Sequence, residues 1–139
     1  MTTTSPTIPA PLGARSSADP LRPRDLAARI LLWACAVAAA LAALSGLPVA
    51  LAADPGTRFV ELWRVVGFAT FATIFSVIAA SPRSVPLGIW LAVIANKLVL
   101  SIVAVAWSGE AAGADSALWW DGSLTVALIT ALALTGRRR

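Results

Sequence analysis

The sequence predicts an all-α fold, a bundle of four transmembrane helices, and three observations lead to it. Hydrophobic residues make up 58% of the 139 residues and charged residues only 13%, which is too apolar for a soluble domain of this size. Four apolar runs are each long enough to cross a hydrocarbon core of about 30 Å. Most of the basic residues gather at the termini and in the loops between the runs. The chain is therefore expected to form one small integral membrane domain.

The first helix is predicted at about residues 26–51, after a disordered cytoplasmic tail at residues 1–25 that is rich in Thr, Ser, Pro and Ala. Its apolar run exceeds the roughly 7–15 residues of a signal-peptide core. The triplet Ala50-Leu51-Ala52 nevertheless resembles a cleavage site, so removal of the first segment as a signal peptide stays an alternative. Gly46 and Pro48 are expected to loosen or end the helix near its far side.

The other three helices are predicted at about residues 59–80, 85–107 and 117–134, with turn-forming loops between them and a basic cytoplasmic end at residues 136–139. Leu62-Trp63 opens the second run and Leu118-Trp119 the fourth, a similarity that two tandem helical hairpins would produce. Tryptophans placed at the membrane interface would produce it equally well. The hairpin arrangement is thus a possibility that this pattern leaves open.

The distribution of arginines predicts the orientation. With the N-terminus inside, the outer side holds only Arg58, with Arg64 just within the membrane. The inner side then holds Arg15, Arg22, Arg24, Arg29, Arg83 and residues 137–139. Basic loops stay in the cytoplasm, so both termini are expected there. The six tryptophans fall near the predicted ends of the helices, as interfacial aromatic belts do, with Trp33 and Trp90 at the inner ends. The preponderance of arginine and alanine suggests a bacterial chain in the plasma (inner) membrane.

Composition excludes several classes of function. The chain has no histidine and a single cysteine, Cys35, which removes His-based catalysis, most metal and haem sites and an intramolecular disulfide. We therefore expect no metal and no cofactor. The arginines form no amphipathic basic stripe, so no nucleic-acid partner is expected. No nucleophile–base pair or phosphate-binding loop stands out, and an enzyme is the least favoured class.

Lys97, the only lysine, lies near the centre of the third predicted helix and hence near the bilayer midplane. A charge there costs at least about 2.5–3.5 kcal/mol, so the ammonium is expected to face a partner or a wet cavity. A buried lysine can lose its proton, which an arginine does not do. The choice of lysine at this position therefore favours a polar site inside the bundle.

Five further polar residues are predicted to surround Lys97 in the outer half of the bundle: Glu61, Arg64, Asn96, Ser101 and Asp121. Lys97 would reach toward the outer acids by extending its long side chain. Trp63, Trp119 and Trp120 are candidates for the rim of a pocket, or for the aromatic belt. Three interpretations stay open: a structural network that fixes helix register, a ligand or ion site that opens outward, and separately solvated side chains.

Three of these polar segments carry a family resemblance. The segment Glu61-Leu-Trp-Arg64-Val-Val-Gly67, Lys97 with Ser101, and Trp120-Asp121 are similar to the small four-helix bacterial membrane proteins grouped as DoxX-like. The resemblance implies a compact four-helix membrane domain, often of unassigned biochemical function, with an acid and an arginine at the start of one helix. Lysine stands here where the resemblance leads one to expect arginine. Small multidrug transporters share the size, but the first helix lacks the glutamate that they need.

Two functional hypotheses follow. The first is a non-enzymatic binding or accessory subunit that packs against a membrane partner or a second copy through its alanine-rich first helix. Ala34, Ala38 and Ala42 recur there at the four-residue spacing that lets helices approach closely. The second is a small transporter or channel for an anion, a proton or a small solute that uses Lys97, Glu61 and Asp121. The first needs only a face of small residues, whereas the second needs a water path or an oligomer.

Overall fold

A computed structural model describes residues 22–111 and 113–136. The described residues form four α-helices and no strands: α1 (Pro23–Ala52), α2 (Pro55–Ala80), α3 (Leu87–Ala106) and α4 (Ala114–Leu134). Each helix is long and apolar enough to cross a membrane. The predicted all-α architecture of four apolar helices is therefore confirmed. The tail at residues 1–21, residue 112 and the three final arginines lie outside the described residues.

Helices α1, α2 and α4 begin earlier than their apolar runs, whereas α3 begins at Leu87, two residues after its predicted start. Pro23 and Pro55 stand in the first turns of α1 and α2, where the missing N–H group of proline costs nothing. Gly113 precedes α4 in the left-handed conformation, with φ 85°, that a glycine adopts without strain. The predicted starts at residues 26, 59 and 117 are therefore late by three or four residues, because they were placed where hydrophobicity begins rather than where the backbone turns.

The helices pack as two hairpins. Helix α1 lies against α2, α3 lies against α4, and the hairpins meet through α1 and α4. Among the described residues, the backbones of α2 and α3 stay apart. The order around the bundle is therefore α2, α1, α4, α3, with a seam between α2 and α3 that only side chains bridge.

From Ala36 onward, the buried residues of helix α1 are small and its large residues face outward. Ala36, Ala39 and Ala43 are buried, whereas Val37 and Leu41 are more than half exposed. Further along the same face, a Cβ on Gly46 would lie 3.1 Å from Val65 Cγ2, so α2 approaches the α1 backbone closely there. Buried small residues at alternating spacings of three and four allow two helices to pack closely over a long distance.

Gly46 and Pro48 do not end α1, because the helix continues through both residues to Ala52. That they loosen it stays a prediction. Proline is tolerated inside membrane-spanning helices because neighbouring helices and local adjustments compensate for the missing backbone bond. Here the close approach of α2 at Gly46 supplies that neighbour. Arg58 then donates two hydrogen bonds, at 3.2 and 3.0 Å, to the Ala53 carbonyl just after the end of α1.

Trp90 differs from its predicted place in the aromatic belt. Its side chain is fully buried and belongs to the same core cluster as Leu32, Phe75 and Leu128. Its indole N–H has no hydrogen-bond partner among the described residues. A tryptophan near a helix end can therefore face either the interface or the core, and its position along the chain does not decide which. Trp33, by contrast, is 46% exposed.

Candidate functional site

The centre of the bundle holds an ion pair between two helices. Lys97 lies near the middle of α3, and its Nζ atom donates a hydrogen bond of 2.7 Å to Asp121 Oδ1 on α4. Only 3% of the lysine side chain and 11% of the aspartate side chain are exposed. The prediction that an acid from another span meets the Lys97 ammonium and shields it is therefore met by Asp121.

Asp121 lies deeper than the sequence suggested. Helix α4 begins at Ala114, so Asp121 lies seven residues, or about 10 Å, along the helix instead of about one turn. The 2.7 Å contact shows that its carboxylate lies at the level of the Lys97 ammonium.

Two hydroxyl groups flank the pair in matching positions. Ser101 Oγ donates a hydrogen bond of 2.8 Å to the backbone carbonyl of Lys97, and Thr125 Oγ1 donates one of 2.7 Å to that of Asp121. Both residues are buried. Each hydroxyl group therefore uses its proton within its own helix, which satisfies the hydroxyl without water. Ser101 was a predicted site residue and Thr125 was not, although both stand four residues after a charged residue.

Phe71 of α2 closes the third side of the pair. The Lys97 Nζ atom lies 4.0 Å from the centroid of the Phe71 ring. The negative face of an aromatic ring attracts a cation, with a free energy of about 2 kcal/mol or more when water is excluded. This contact bridges the seam between α2 and α3. Sequence reasoning missed it because one phenylalanine in an apolar helix carries no signal that distinguishes it from its neighbours.

Glu61 and Arg64 do not join this centre. Arg64 Nη2 and Glu61 Oε2 form their own ion pair of 2.7 Å within α2, and 56% of the arginine side chain is exposed. Glu61 precedes Phe71 by ten residues, which corresponds to about 15 Å along the helix. The expectation of one cluster of two acids and two bases is therefore corrected. A spacing of three residues lets these two side chains neutralise each other locally.

Asn96 also faces away from the ion pair. It follows Ala95 on α3 and is exposed, while its neighbour Lys97 is buried. Successive residues of a helix point about 100° apart, so two adjacent polar residues cannot both face the same partner. The amide of Asn96 forms no hydrogen bond with another described residue.

The three tryptophans proposed for a pocket rim lie on the outside of the bundle. Trp63, Trp119 and Trp120 are 72%, 77% and 51% exposed. Trp119 lines an open groove along α4 of about 780 Å³, together with small residues such as Gly122 and Ala127. Neither Lys97 nor Asp121 lines this groove. All three rings are exposed, and none of them contacts the ion pair.

The chemistry available at the ion pair is narrow. The ammonium is neutralised by one carboxylate and covered by one aromatic ring, which leaves it 2% exposed as a residue. In the described part of the chain, no group of three or more Cys, Asp or Glu residues could hold a metal ion. The arrangement is suited to holding helices in register. That Glu61, Arg64, Asn96, Lys97, Ser101 or Asp121 binds a ligand stays a prediction.

Comparison with known proteins does not assign the chain to a family. No family model, no curated protein and no solved structure matches it. The similarity of its polar positions to DoxX-like proteins therefore stays a prediction from sequence. Function has to be inferred from the geometry of the chain itself.

Proposed function

We propose that this chain is a multi-pass protein of the bacterial inner membrane, with both termini in the cytoplasm, that works as a non-enzymatic binding or accessory subunit. Four apolar helices support the membrane assignment. Arg29 and Arg83 at one end of the bundle, against Arg58 at the other, support the orientation. The DoxX-like resemblance is part of the same proposal, because it too implies a compact four-helix membrane domain.

The observation that carries the binding role is the exposed amide of Asn96. It lies near the middle of α3, where the surroundings of a membrane helix are hydrocarbon. An amide without a hydrogen-bond partner costs several kcal/mol there, on the order of 4–8 on a cyclohexane scale. A second membrane helix that carries a polar group would satisfy it. Interhelical hydrogen bonds of this kind are used as contacts between transmembrane helices.

The faces of two helices suit such a partner. The backbone of α3 lies close only to that of α4 among the described helices, and α3 reaches α2 through side chains such as Lys97. The side of α3 that carries Asn96 is exposed. Gly88 and Ala92 lie on that side at four-residue spacing before Asn96, and both are exposed. On α1, the predicted stripe of small residues is only partly available to a partner, because Ala34 is exposed but Ala38 and Ala42 are half-buried. The face of α3 is the principal contact in this proposal, and the face of α1 is the second.

The closed ion pair favours a binding subunit over a transporter. Lys97 and Asp121 satisfy each other, and no uncompensated charge is left at that point for a solute. Burial of a neutral, hydrogen-bonded pair keeps α3 and α4 in one register and thereby fixes the orientation of the Asn96 face. The pair then has a positioning role for the surface that binds.

The test compares Asn96→Leu with Thr70→Leu. Thr70 is also an exposed polar residue within a span, but its hydroxyl already donates 2.9 Å to the Val66 carbonyl. We expect Asn96→Leu to weaken association about 3- to 30-fold, which corresponds to about 0.6–2 kcal/mol for one interhelical hydrogen bond. Thr70→Leu should have no effect. Association is measured by light scattering in mild detergent and by pull-down from native membranes.

A wild-type chain that stays monomeric and captures no defined membrane partner would contradict the proposal. Equal loss of association in Asn96→Leu and Thr70→Leu would contradict the role of the amide. Ala34→Leu, measured in the same way, reports whether the face of α1 contributes a second contact.

A small transporter is the second candidate, and the place of the ion pair favours it. Intramembrane charges near the middle of a span commonly mark ion or proton pathways. Glu61 does not belong to this version, because it pairs with Arg64 elsewhere on α2. Flux through vesicles that contain the purified chain tests it. A proton or anion flux that disappears in Lys97→Met/Asp121→Leu, with the fold intact, would favour transport.

A further inference from the structure

A polar cleft lies at the end of the bundle where α1 begins and where α2 and α4 end. Its volume is about 190 Å³, and it is open on one side. Polar side chains make up most of its lining: Asp25, Arg29, Ser81, Arg83, Ser84 and Thr135. The cleft is far from Lys97 and Asp121 along all four helices, and it plays no part in the binding role proposed above.

Arg83 reaches into this cleft from the loop after α2. Its Nη2 atom lies 2.7 Å from Asp25 Oδ2, and 58% of the arginine side chain is exposed, against 11% of the aspartate side chain. The aspartate is therefore held inside, while most of the guanidinium faces outward. A guanidinium has five N–H donors and binds carboxylate or phosphate oxygens in pairs, and more than half of the Arg83 side chain is exposed beside the cleft.

Arg29 supplies a second cation from α1. Its Nε atom donates 3.1 Å to the Ala79 carbonyl and its Nη2 atom donates 3.2 Å to the Ala80 carbonyl at the end of α2. Both acceptors are uncharged, so these bonds leave the charge of Arg29 uncompensated. Among the described lining residues, two arginines stand against one acid, Asp25, so these side chains together carry one excess positive charge.

The depth of the cleft is that of lipid head groups. Leu26 and Ile30, on the first turns of α1 beside the lining residues, are 49% and 61% exposed and mark the start of the hydrocarbon-facing surface. Arg22 and Arg24 are exposed just beyond them. A phosphate at this level would lie between Arg22 and Arg24 on one side and the cleft residues Arg29 and Arg83 on the other. Basic pockets between transmembrane helices on the cytoplasmic side bind anionic head groups in this way.

From these contacts we infer that the cleft binds the phosphate diester of an anionic phospholipid. Arg83 and Arg29 bind the phosphate oxygens, and the hydroxyl groups of Ser81 and Ser84 are placed to donate to the remaining oxygens or to the glycerol. Asp25 competes with the phosphate for Arg83 and keeps that side chain extended over the cleft. The inference rests on the proposed insertion of the four helices in a membrane and is independent of any protein partner.

The test measures binding of phosphatidylglycerol to the full chain in detergent, from the lipid-dependent rise of the thermal unfolding midpoint, with phosphatidylcholine and inorganic phosphate as the other arms. We expect phosphatidylglycerol alone to bind. The variant Asp25→Asn/Arg83→Gln removes the cation together with its acid, so the net charge of the cleft is unchanged and the result reports the guanidinium contact itself. Binding should weaken about fivefold, as expected for the loss of one hydrogen-bonded contact to the phosphate. Asp25→Asn alone should bind as tightly as the wild type or more tightly, because the competing acid is gone.

Arg58→Gln is the matched control. Arg58 also donates from Nε and Nη2 to a carbonyl at the end of a helix, but at the opposite end of the bundle. Its loss should leave phosphatidylglycerol binding unchanged. Asn96→Leu should also bind the lipid normally, which separates this inference from the proposed partner contact.

Four results would overturn the lipid assignment. They are equal binding of phosphatidylcholine, an equal stabilisation by inorganic phosphate, equal losses in Arg58→Gln and Asp25→Asn/Arg83→Gln, and a wild-type affinity in the latter variant. Should the double variant not accumulate, Asp25→Asn decides, since an affinity below that of the wild type contradicts the competition between carboxylate and phosphate.

Discussion

Two ion pairs of equal length stand in different surroundings. Lys97–Asp121 in the middle of the bundle and Arg83–Asp25 at its end are both 2.7 Å long. The lysine side chain is 3% exposed, whereas the Arg83 side chain is 58% exposed. Water and salt screen the second pair and not the first. Distance alone therefore says little about what an ion pair contributes, and burial decides what its loss costs.

The largest effect is expected from Lys97→Met. It leaves the Asp121 carboxylate buried without its cation, and breaking a buried pair in this way costs about 3–5 kcal/mol. The folded fraction in mild detergent, followed by thermal unfolding, measures it. A Lys97→Met protein as stable as the wild type would show that the central pair contributes no more than a surface pair.

The double variant Lys97→Met/Asp121→Leu sharpens this result. Both charges are removed together, so no uncompensated charge remains, and replacing a buried pair with apolar residues is often neutral or stabilising. We expect stability to return to within about 1–2 kcal/mol of the wild type. A double variant as unstable as Lys97→Met would indicate that the packing of the side chains, and not their charge, holds α3 to α4.

A smaller loss is expected from Phe71→Leu. The substitution keeps an apolar side chain at the seam but removes the ring face under the ammonium, a loss of about 2 kcal/mol for a desolvated cation–π contact. Phe59→Leu on the same helix is the control, because Phe59 is 77% exposed. Equal effects of the two substitutions on the unfolding midpoint would exclude a specific role of the Phe71 ring.

The smallest effect is expected from Asp25→Asn. With its partner half-exposed, the loss should be at most about 1 kcal/mol and should shrink as salt is added. Glu61→Gln, which breaks the exposed pair within α2, gives a reference of about 0.3–0.5 kcal/mol. A loss for Asp25→Asn as large as that for Lys97→Met would remove the distinction between the two pairs.

The four helices could be predicted because length and hydrophobicity alone determine whether a segment spans a membrane. The faces of the helices could not be predicted in the same way. In a membrane, lipid-facing and core-facing positions are both apolar, so hydrophobic periodicity disappears. Side-chain size carries the signal instead: Ala36, Ala39 and Ala43 lie inside α1, while Leu41 lies outside. The predicted stripe of Ala34, Ala38 and Ala42 follows another spacing and is only partly buried.

The candidate site could likewise be predicted only in part. That Lys97 meets an acid from another span could be predicted, since a charge near the midplane needs an opposite charge, and Asp121 was one of the two acids expected there. Glu61 and Arg64 lie at a depth that suits the same cluster, but depth in the membrane does not reveal that two side chains three residues apart neutralise each other within one turn. Asn96 was assigned to it by adjacency, although adjacent residues face different ways in a helix. The spacing of four in Lys97–Ser101 and Asp121–Thr125 does not mark the site either, because Thr70, Thr73, Ser76 and Thr130 make the same bond elsewhere on the helices.

Pairing of neighbouring helices also sets the order of events during synthesis. Helices α1 and α2 can pack on each other as soon as they emerge, but Lys97 leaves the ribosome 24 residues ahead of Asp121. At about 5–20 residues per second, the lysine waits for about one to five seconds with no carboxylate to neutralise it. A chain truncated after α3 should accordingly insert that helix less completely than the full chain, as glycosylation-site mapping would reveal.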